Sequence, residues 1–318
     1  MFESKAMYAS IIIRTYNEEQ YLRELLTAIG EQDASLVQYE IVLIDSGSSD
    51  NTLSIAEEFG CRIGHIKKED FTFGRSLNVG CELATGGLLL FISGHCIPKD
   101  KNWLTNLCRP LVEGKASYVY GKQIGRDTTK FSENQLFAKF YPGYSKLPQD
   151  GFFVNNANAA ITRSAWERFK FNEELTGLED MYLAKLIVES GERTGYVSDA
   201  EVWHIHDESW QQIRIRYERE AYALQNIMPE VHFTMFDFLH FLLSSIISDM
   251  TALSRDNVSS RMLLEIFLFR LNHYWGTYRG GRETRKMSAS RKKQYFYAKD
   301  LEKDVYYDED SSTADESA

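Results

Sequence analysis

Apolar and polar positions follow two different rhythms along the first part of the chain. Four short apolar runs are typical of buried strands: residues 10–13, 40–44, 62–66 and 88–92. The stretches between them repeat apolar side chains at helical spacing: residues 18–31, 53–59 and 75–84. Because strands and helices alternate, we expect an α/β fold with a parallel sheet flanked by helices.

The pattern changes in the second part of the chain. Residues 122–152 lose clear periodicity and predict an irregular region with one helix near residues 134–140. Helical spacing returns at residues 178–190 and 210–227, before Pro229 closes the segment. We therefore expect a main domain over residues 1–229, with one half at about 1–120 and the other at about 121–229.

Beyond Pro229 the sequence predicts a smaller helical extension over residues 230–300. Its apolar helix patterns lie at residues 233–250 and 261–275, and a basic stretch follows them. The first pattern is short for a bilayer span and is interrupted by Asp237, His240 and Asp249. We expect it to lie on a membrane or to pack against the main domain. The acidic, Ser-rich residues 301–318 predict a disordered tail.

Composition and charge narrow the classes of protein. With 318 residues and 43% hydrophobic content, the chain can bury one large core. Its net charge of -10 argues against electrostatic wrapping of nucleic acid. The scattered cysteines form no CxxC pair, and residues 1–10 contain no long apolar run. We therefore expect reduced thiols, no signal peptide and a cytoplasmic location.

Polar residues follow the predicted strands at the edge where α/β sheets bind ligands. Asp45 ends one apolar run, and the turn that follows it can be a plain strand-to-helix connection or a nucleotide contact. Arg14 to Glu18 combine a cationic side chain with helix-start N–H groups, which suit a diphosphate. Arg75 and Asn78 begin a third helix. Each group alone is explained by capping, but the three together indicate a nucleotide pocket.

Three segments strongly resemble family 2 glycosyltransferases, and the rhamnosyltransferase-like members of the bacterial surface polysaccharide type look closest. They are IIIRTYNE at residues 11–18, IDSGSSDNT at 44–52 and FGRSLN at 73–78, and the resemblance covers about residues 9–227. It implies a GT-A fold, meaning a Rossmann-like nucleotide-binding mixed sheet flanked by helices, with a donor half and an acceptor half. The implied activity is an inverting transfer from a nucleotide-diphosphate sugar to a cell-surface glycan or lipid-linked acceptor. The implied donor-binding residues are Arg14, Thr15, Asn17, Glu18, Asp45, Ser46, Arg75, Asn78, Ser93 and His95.

The sequence departs from the family at its metal motif, which is Asp-x-Asp. Ser93 and His95 stand where the two aspartates are expected. Together with His204 or His206, His95 can form a histidine-rich site for a divalent cation, Mn²⁺ or Mg²⁺, although imidazole is a poor ligand for Mg²⁺. Direct contact with the diphosphate and a structural capping role are the alternatives.

The resemblance also implies a catalytic base. An inverting transfer needs a group that takes the proton of the acceptor hydroxyl, and the family's Glu-Asp pair is here Glu179 and Asp180. Carboxylates at a helix N-terminus are also favourable through the helix dipole alone. The amides of Asn155, Asn156 and Asn158, together with Trp210, are candidates for acceptor binding, with turn formation and core packing as the alternatives.

The helical extension and two rival functions complete the expectations. Apolar helices beside a basic stretch suit an anionic cytoplasmic membrane surface, and a packed subdomain or a homodimer interface explains them nearly as well. A nucleotidyltransferase is disfavoured because residues 14–18 contain no glycine-rich triphosphate loop. A catalytically silent nucleotide-sugar-binding module is supported only by the missing Asp-x-Asp.

Overall fold

The computed structural model describes residues 7–253, 259–283 and 288–300. Within them, one sheet contains eight strands: β1 (Met7–Thr15), β2 (Val37–Asp45), β3 (Arg62–His65), β4 (Leu88–Ser93), β5 (Cys96–Pro98), β6 (Tyr118–Ile124), β7 (Asn158–Thr162) and β8 (Thr194–His204). Their order is β3-β2-β1-β4-β7-β6-β8-β5. The four strands predicted from apolar runs are β1 to β4, and they pair in parallel as expected.

The other half of the sheet makes it a mixed sheet. Strand β7 runs antiparallel to both β4 and β6, and β6 runs parallel to β8. At the edge, β5 pairs antiparallel with the end of β8, so that Cys96 lies opposite His204. This edge pairing brings the residue before β5 close to the residues that follow β8.

Seven helices accompany the sheet in residues 7–207: α1 (Glu19–Gly30), α2 (Thr52–Glu58), α3 (Phe73–Leu83), α4 (Trp103–Val112), α5 (Phe131–Phe140), α6 (Arg163–Phe169) and α7 (Glu179–Glu189). Successive residues of a strand point to opposite faces. Ile11 therefore joins a core with Leu22 of α1, while Ile12 joins a second core with Leu77 of α3. Both faces of β1 are covered, which explains its continuous apolar sequence.

The middle of the chain contains more regular structure than its sequence predicts. Strand β6 continues to Ile124, and α5 begins at Phe131, a few residues before the expected helix. Strand β7 has the sequence NAAIT, which contains no continuous apolar run that would predict it. Close packing also occurs between β6 and β8, because a Cβ on Gly121 of β6 would lie 2.2 Å from the carbonyl oxygen of Ala200.

The chain divides into two compact units, Met1–Asp207 and Glu208–Ala318, which we call the α/β unit and the helical unit. The described helices of the second are α8 (Trp210–Ile227), α9 (Met235–Ala252), α10 (Ser260–Gly280) and α11 (Ala289–Phe296). The division precedes α8, whereas the sequence predicts a boundary near Pro229. The reason lies in α10: a Cβ on Gly276 or Gly280 would lie only 2.4 or 2.0 Å from carbonyl oxygens of α8. The two glycines let the helices touch, so α8 belongs with the helical extension.

A buried ion pair joins α9 to α10. The Arg270 guanidinium donates to both carboxylate oxygens of Asp249 at 2.6 and 2.7 Å. Asp249, which interrupts the apolar pattern of α9, is thereby neutralised inside the unit. Within the described residues, no helix combines the length and the apolar character needed to cross a membrane.

Three further expectations concern cysteines, the basic stretch and the tail. All four cysteines carry free thiols, as predicted from their spacing. Of the basic stretch, Arg285 and Lys286 lie outside the described residues, and the tail predicted at 301–318 also lies outside them.

Candidate active site

The loop after β2 is organised around Asp45, which is buried. One carboxylate oxygen accepts the backbone N–H groups of Gly47 and Ser48 at 2.8 and 3.0 Å. The other accepts the hydroxyl groups of Ser48 at 2.5 Å and Thr15 at 3.4 Å. Gly47 adopts a φ of 95°, which glycine tolerates best. Asp45 therefore holds the turn in shape, and Ser46 ties it to β1 by donating its hydroxyl to the Thr15 carbonyl at 3.3 Å.

Hydrogen bonds connect the loop after β1 to this turn. Asn17 adopts a left-handed φ of 53°, accepts the Ser49 N–H at 2.9 Å and donates its own N–H to Ser48 at 2.9 Å. The N–H of Glu18 donates to the Thr52 hydroxyl at 2.8 Å. A left-handed asparagine stores strain that its neighbours must offset, a feature common at binding sites. The structure thus brings together the loops that the sequence predicts to form one pocket.

The two candidates on α3 differ in their surroundings. Arg75 is exposed near the start of the helix. The Asn78 amide is buried: its nitrogen donates to the Phe171 carbonyl and to Glu173, and its oxygen accepts from Trp166 and the Phe171 N–H. This corrects the expectation for Asn78, because an amide with all four bonds made inside the core has no capacity left for a donor.

Three histidines converge at the end of β4 and β8, and we call them the histidine cluster: His95, His204 and His206. One ligand atom of each lies within 4.8 Å of those of the other two. The Ile205 N–H donates to the His95 carbonyl at 3.1 Å, which keeps the segment after β8 extended. His204 and His206 therefore point the same way, with ring centroids 4.1 Å apart.

Each ring of the histidine cluster is held at Nδ1 by an oxygen. The partners are Glu18 for His95 at 3.2 Å, Gln123 for His204 at 2.7 Å, and Glu133 for His206 at 2.7 Å. When Nδ1 donates its proton, the lone pair resides on Nε2. This is the arrangement that orients metal-binding histidines in proteins. Ser93, the other expected donor residue, ends β4 and is partly exposed.

The start of α7 holds a pair of buried carboxylates. Leu178, immediately before the helix, has a left-handed φ of 56°, a costly conformation for a branched residue. Asp180 accepts the Asn156 N–H at 2.8 Å, and Glu179 accepts a hydrogen bond from Arg14 at 3.3 Å. Arg14, expected beside a diphosphate, thus contacts the carboxylate pair and stacks on Phe73.

Burial raises the pKa of Asp180 to about 7, and the neighbouring charge of Glu179 acts in the same direction. The backbone N–H groups of Asn156 and Met181 and the Arg14 charge oppose the rise. A carboxyl group that titrates near neutral pH is suited to general base catalysis. Glu179 forms an ion pair with Arg14, and its negative charge raises the pKa of Asp180.

The amide segment before β7 separates into different environments. Asn156 accepts the Tyr118 hydroxyl at 2.5 Å, and its buried Nδ2 has no partner among the described residues. Asn155 accepts from Gln123, the same side chain that holds His204. Asn158 is different, because it is fully buried and bonds to Trp103 and to the carbonyls of Lys122 and Ala200.

Asn158 is therefore a core residue, which corrects its expected role in acceptor binding. Trp210, the other expected acceptor residue, is the first residue of α8 and belongs to the helical unit. Gln123 and Glu133 were missed by sequence reasoning; both are buried polar side chains that hold histidines of the cluster. Gln123 links the histidine cluster to the amide segment, which in turn contacts Asp180.

An α/β sheet with interlocked polar loops at its strand ends, together with a buried acid of raised pKa, is the arrangement expected of an enzyme that binds a nucleotide and takes up a proton. Comparisons with known proteins make this specific. Residues 10–170, half of the chain, match the model of "Glycosyl transferase family 2". The chain belongs to this family, is a glycosyltransferase and has the GT-A fold.

Individual relatives agree with the family match. Over 213 residues the chain is 26% identical to the O-antigen chain rhamnosyltransferase RfbN of Salmonella typhimurium, covering 63% of this chain and 67% of that one. It is 33% identical over 101 residues to glycosyltransferase AglE of Haloferax volcanii, covering 30% of this chain and 33% of AglE. A similar fold occurs in mannosyltransferase PcManGT of Pyrobaculum calidifontis, which was solved with GDP-Man and Mn²⁺. The TM-score is 0.55 at 18% sequence identity, and the match covers 94% of this chain and 82% of PcManGT.

Proposed function

We propose that this glycosyltransferase transfers a sugar, with inversion, from a nucleotide-diphosphate sugar to a hydroxyl of a cell-surface glycan or lipid-linked acceptor. The observation that carries the proposal is the buried pair of Glu179 and Asp180, held by Arg14 and by the Asn156 N–H, in which burial raises the pKa of Asp180 to about 7. RfbN, a rhamnosyltransferase of O-antigen chains, supports the acceptor class.

Asp180 acts as the general base in this mechanism. It takes the proton of the acceptor hydroxyl while that oxygen attacks the anomeric carbon from the face opposite the nucleotide. The new glycosidic bond forms as the bond to the nucleotide diphosphate breaks, which inverts the anomeric centre. Glu179 raises the basicity of Asp180, and the Asn156 N–H fixes its orientation.

The donor nucleoside is assigned to the two interlocked loops. Thr15, Asn17, Asp45 and Ser46 would line it, with Arg75 near the phosphates, since Arg75 is exposed at the start of α3. Glu18 supports the site through His95. Asn156 is assigned to the acceptor side because its N–H donates to Asp180, and Asn155 because it precedes Asn156 in the same segment, whereas Trp210 remains a sequence prediction.

The histidine cluster fits a divalent cation. Three imidazoles, each held at Nδ1 by an oxygen, make a donor set for Mn²⁺ or another transition ion in preference to Mg²⁺. When bound, such an ion supplies positive charge that stabilises the departing diphosphate. The residues that would hold it are His95, His204 and His206, and PcManGT was solved with Mn²⁺.

The metal assignment is tested by direct binding. Mn²⁺ titrated into the metal-free chain should show one site by electron paramagnetic resonance, and His204→Ala should weaken that site about tenfold or more. His65→Ala, on the exposed part of β3, is the matched control. Equal Mn²⁺ binding by the chain and by His204→Ala would remove the cluster as the metal site.

The function itself is tested with donors and with one substitution. Thermal stabilisation by UDP-, GDP- and dTDP-sugars identifies the donor, because a ligand that binds only the folded state raises the melting temperature. Asp180→Asn should then lower transfer by about 10²- to 10⁴-fold while leaving nucleotide affinity within about twofold. Nucleotide binding without transfer in the unaltered chain, across acceptors, would favour a silent binding module instead.

We also propose that the enzyme lies on the cytoplasmic face of an anionic membrane. Helix α9 exposes large apolar side chains at helical spacing, among them Phe236 at 76% and Leu243 at 60% exposure. Basic residues of the same unit, among them Lys292 and Arg282, suit anionic lipid headgroups.

Flotation with anionic vesicles tests this membrane contact. Phe236→Ser with Leu243→Ser should abolish flotation, whereas Tyr144→Ser should not, although Tyr144 of the α/β unit is about as exposed as Leu243. Failure of the unaltered chain to float, together with a dimeric mass in solution, would assign the apolar face to a homodimer.

A further inference from the structure

The helical unit contains a cavity of about 400 Å³ that none of the transfer chemistry uses. It lies between α8, the end of α10 and α11, and we call it the arginine pocket. Three arginines line it, Arg214, Arg279 and Arg291, against one carboxylate, Glu218. The exposed hydroxyl of Ser290 also reaches its lining.

The helix packing builds this pocket. Gly276 and Gly280 bring α10 against α8, and Arg279 therefore stands beside Glu218, with Nε 3.5 Å from the carboxylate. Glu218 is buried and also accepts Arg291 at 2.5 Å and the Tyr295 hydroxyl at 3.2 Å. One carboxylate thus fixes two guanidinium groups from two different helices.

Arg214 supplies the excess positive charge. It is half-buried in the lining, and its guanidinium makes no hydrogen bond or ion pair with the described residues. The three arginines therefore face two carboxylates, Glu218 in the lining and Glu283 behind Arg291, which leaves one positive charge in excess. A guanidinium held in a partly desolvated cavity favours an oxyanion that can accept two N–H groups at once.

We propose that the arginine pocket binds a phosphate or diphosphate group. Several guanidinium forks match the multiple oxygens and charges of such a group better than those of a single carboxylate. The group can come from a soluble diphosphate or from the headgroup of a diphosphate-linked lipid. Both sources share this chemistry, and the apolar helix α9 packs on α10 close to Arg279 through Phe238 and Tyr278.

The first test is titration calorimetry of inorganic diphosphate into the full chain. The unaltered chain should bind it at one saturable site that involves Arg214, and Arg214→Gln should weaken that site about tenfold. Lys292→Gln removes the same charge from the exposed side of α11 and should change the affinity less than about twofold. Absence of saturable binding, or binding that survives Arg214→Gln and so belongs elsewhere, would overturn the proposal.

A second variant should change the affinity for diphosphate in the opposite direction. Glu218→Gln keeps an acceptor for Arg291 and Tyr295 but removes the negative charge that competes with the ligand. Diphosphate should then bind several-fold more tightly to the variant, provided that circular dichroism shows it folded. Weaker binding by the folded variant would mean that the arginines serve only the packing of the helices.

The two sources are separated with geranyl diphosphate as a soluble probe of a lipid diphosphate. If it binds about tenfold more tightly than inorganic diphosphate, and Arg214→Gln weakens both, the pocket takes a lipid headgroup. Equal affinities with the same dependence on Arg214 assign it to a soluble diphosphate. If Arg214→Gln leaves the affinity for geranyl diphosphate unchanged, the proposal is contradicted.

Discussion

The α/β unit and the helical unit each bury a functional carboxylate, and their neighbours give the two opposite properties. Asp180 lies beside a second acid, Glu179, and its bonds come from backbone N–H groups. Glu218 contacts two arginines and a tyrosine hydroxyl. Burial near another negative charge raises the pKa of Asp180, whereas the contacts of Glu218 with arginines from two helices hold those helices together.

The two carboxylates differ in their effect on the stability of the folded state. A buried acid with a raised pKa destabilises the folded state when it ionises, and enzymes accept that cost where they need a base. The contacts of Glu218 instead stabilise the folded state by joining α8 to α10 and α11.

The largest expected effect is the loss of stability in Glu218→Ala. Removing the carboxylate leaves Tyr295 and Arg279 without this partner and leaves Arg291 with only Glu283, which should lower the free energy of unfolding by about 3 kcal/mol. Urea unfolding followed by circular dichroism measures it, with exposed Glu230→Ala as the control. A loss below about 1 kcal/mol would mean that water satisfies these groups and that Glu218 is not structural.

The second effect is a pH dependence of stability that belongs to Asp180. Its pKa is raised from 3.8 to about 7 by folding, so the unfolded chain loses this proton first. Stability from this group is therefore complete below about pH 4 and falls by about 1.4 kcal/mol per pH unit until about pH 7. Asp180→Asn should lose less stability between pH 5 and 7 than the unaltered chain, by about 2 kcal/mol in urea unfolding.

The control for this pH dependence is Asp150→Asn, which removes an exposed carboxylate of the same unit. It should follow the unaltered chain between pH 5 and 7. If Asp180→Asn also follows the unaltered chain, Asp180 titrates in the ordinary acid range and is a poor general base.

The third effect concerns the packing that holds Glu218 against α10. A methyl group on Gly280 would meet the Glu218 carbonyl at 2.0 Å, so Gly280→Ala should cost about 1 to 3 kcal/mol of stability through overpacking. Gly30→Ala, at the end of α1 with open space around it, should cost nothing. Equal melting temperatures for the two variants would show that α8 and α10 separate at little cost.

More of the α/β unit than of the helical unit could be predicted from the sequence, for a physical reason. Strands buried on both faces must be apolar throughout, which makes β1 to β4 visible in the sequence. The loops after β1 and β2 were also predictable, since the ends of adjacent parallel strands meet at one edge. The boundary before α8 was not, because it depends on Gly276 and Gly280 touching a helix far away in sequence.

Single polar residues were harder to interpret than motifs. Asn78 and Asn158 look like ligand-binding amides in the sequence, but they bond to Trp166 and Trp103, which lie 88 and 55 residues away along the chain. Gln123 and Glu133 were missed for the same reason, since their partners are histidines of β8 and the segment after it. A buried polar side chain can serve a ligand or the core, and only its three-dimensional partners separate the two.

The smallest effect is a pair of opposite shifts in the pH dependence of transfer. The rate should rise with pH through about 7 as Asp180 loses its proton. Glu179→Gln removes a negative neighbour and should lower the pH at which the rate rises by about one unit. Arg14→Gln removes a positive neighbour and should raise that pH. Measuring kcat between pH 5 and 9 for both variants tests this, because general damage to the site would lower the rate without opposite shifts. Shifts in the same direction would show that the charges around Asp180 do not set its basicity.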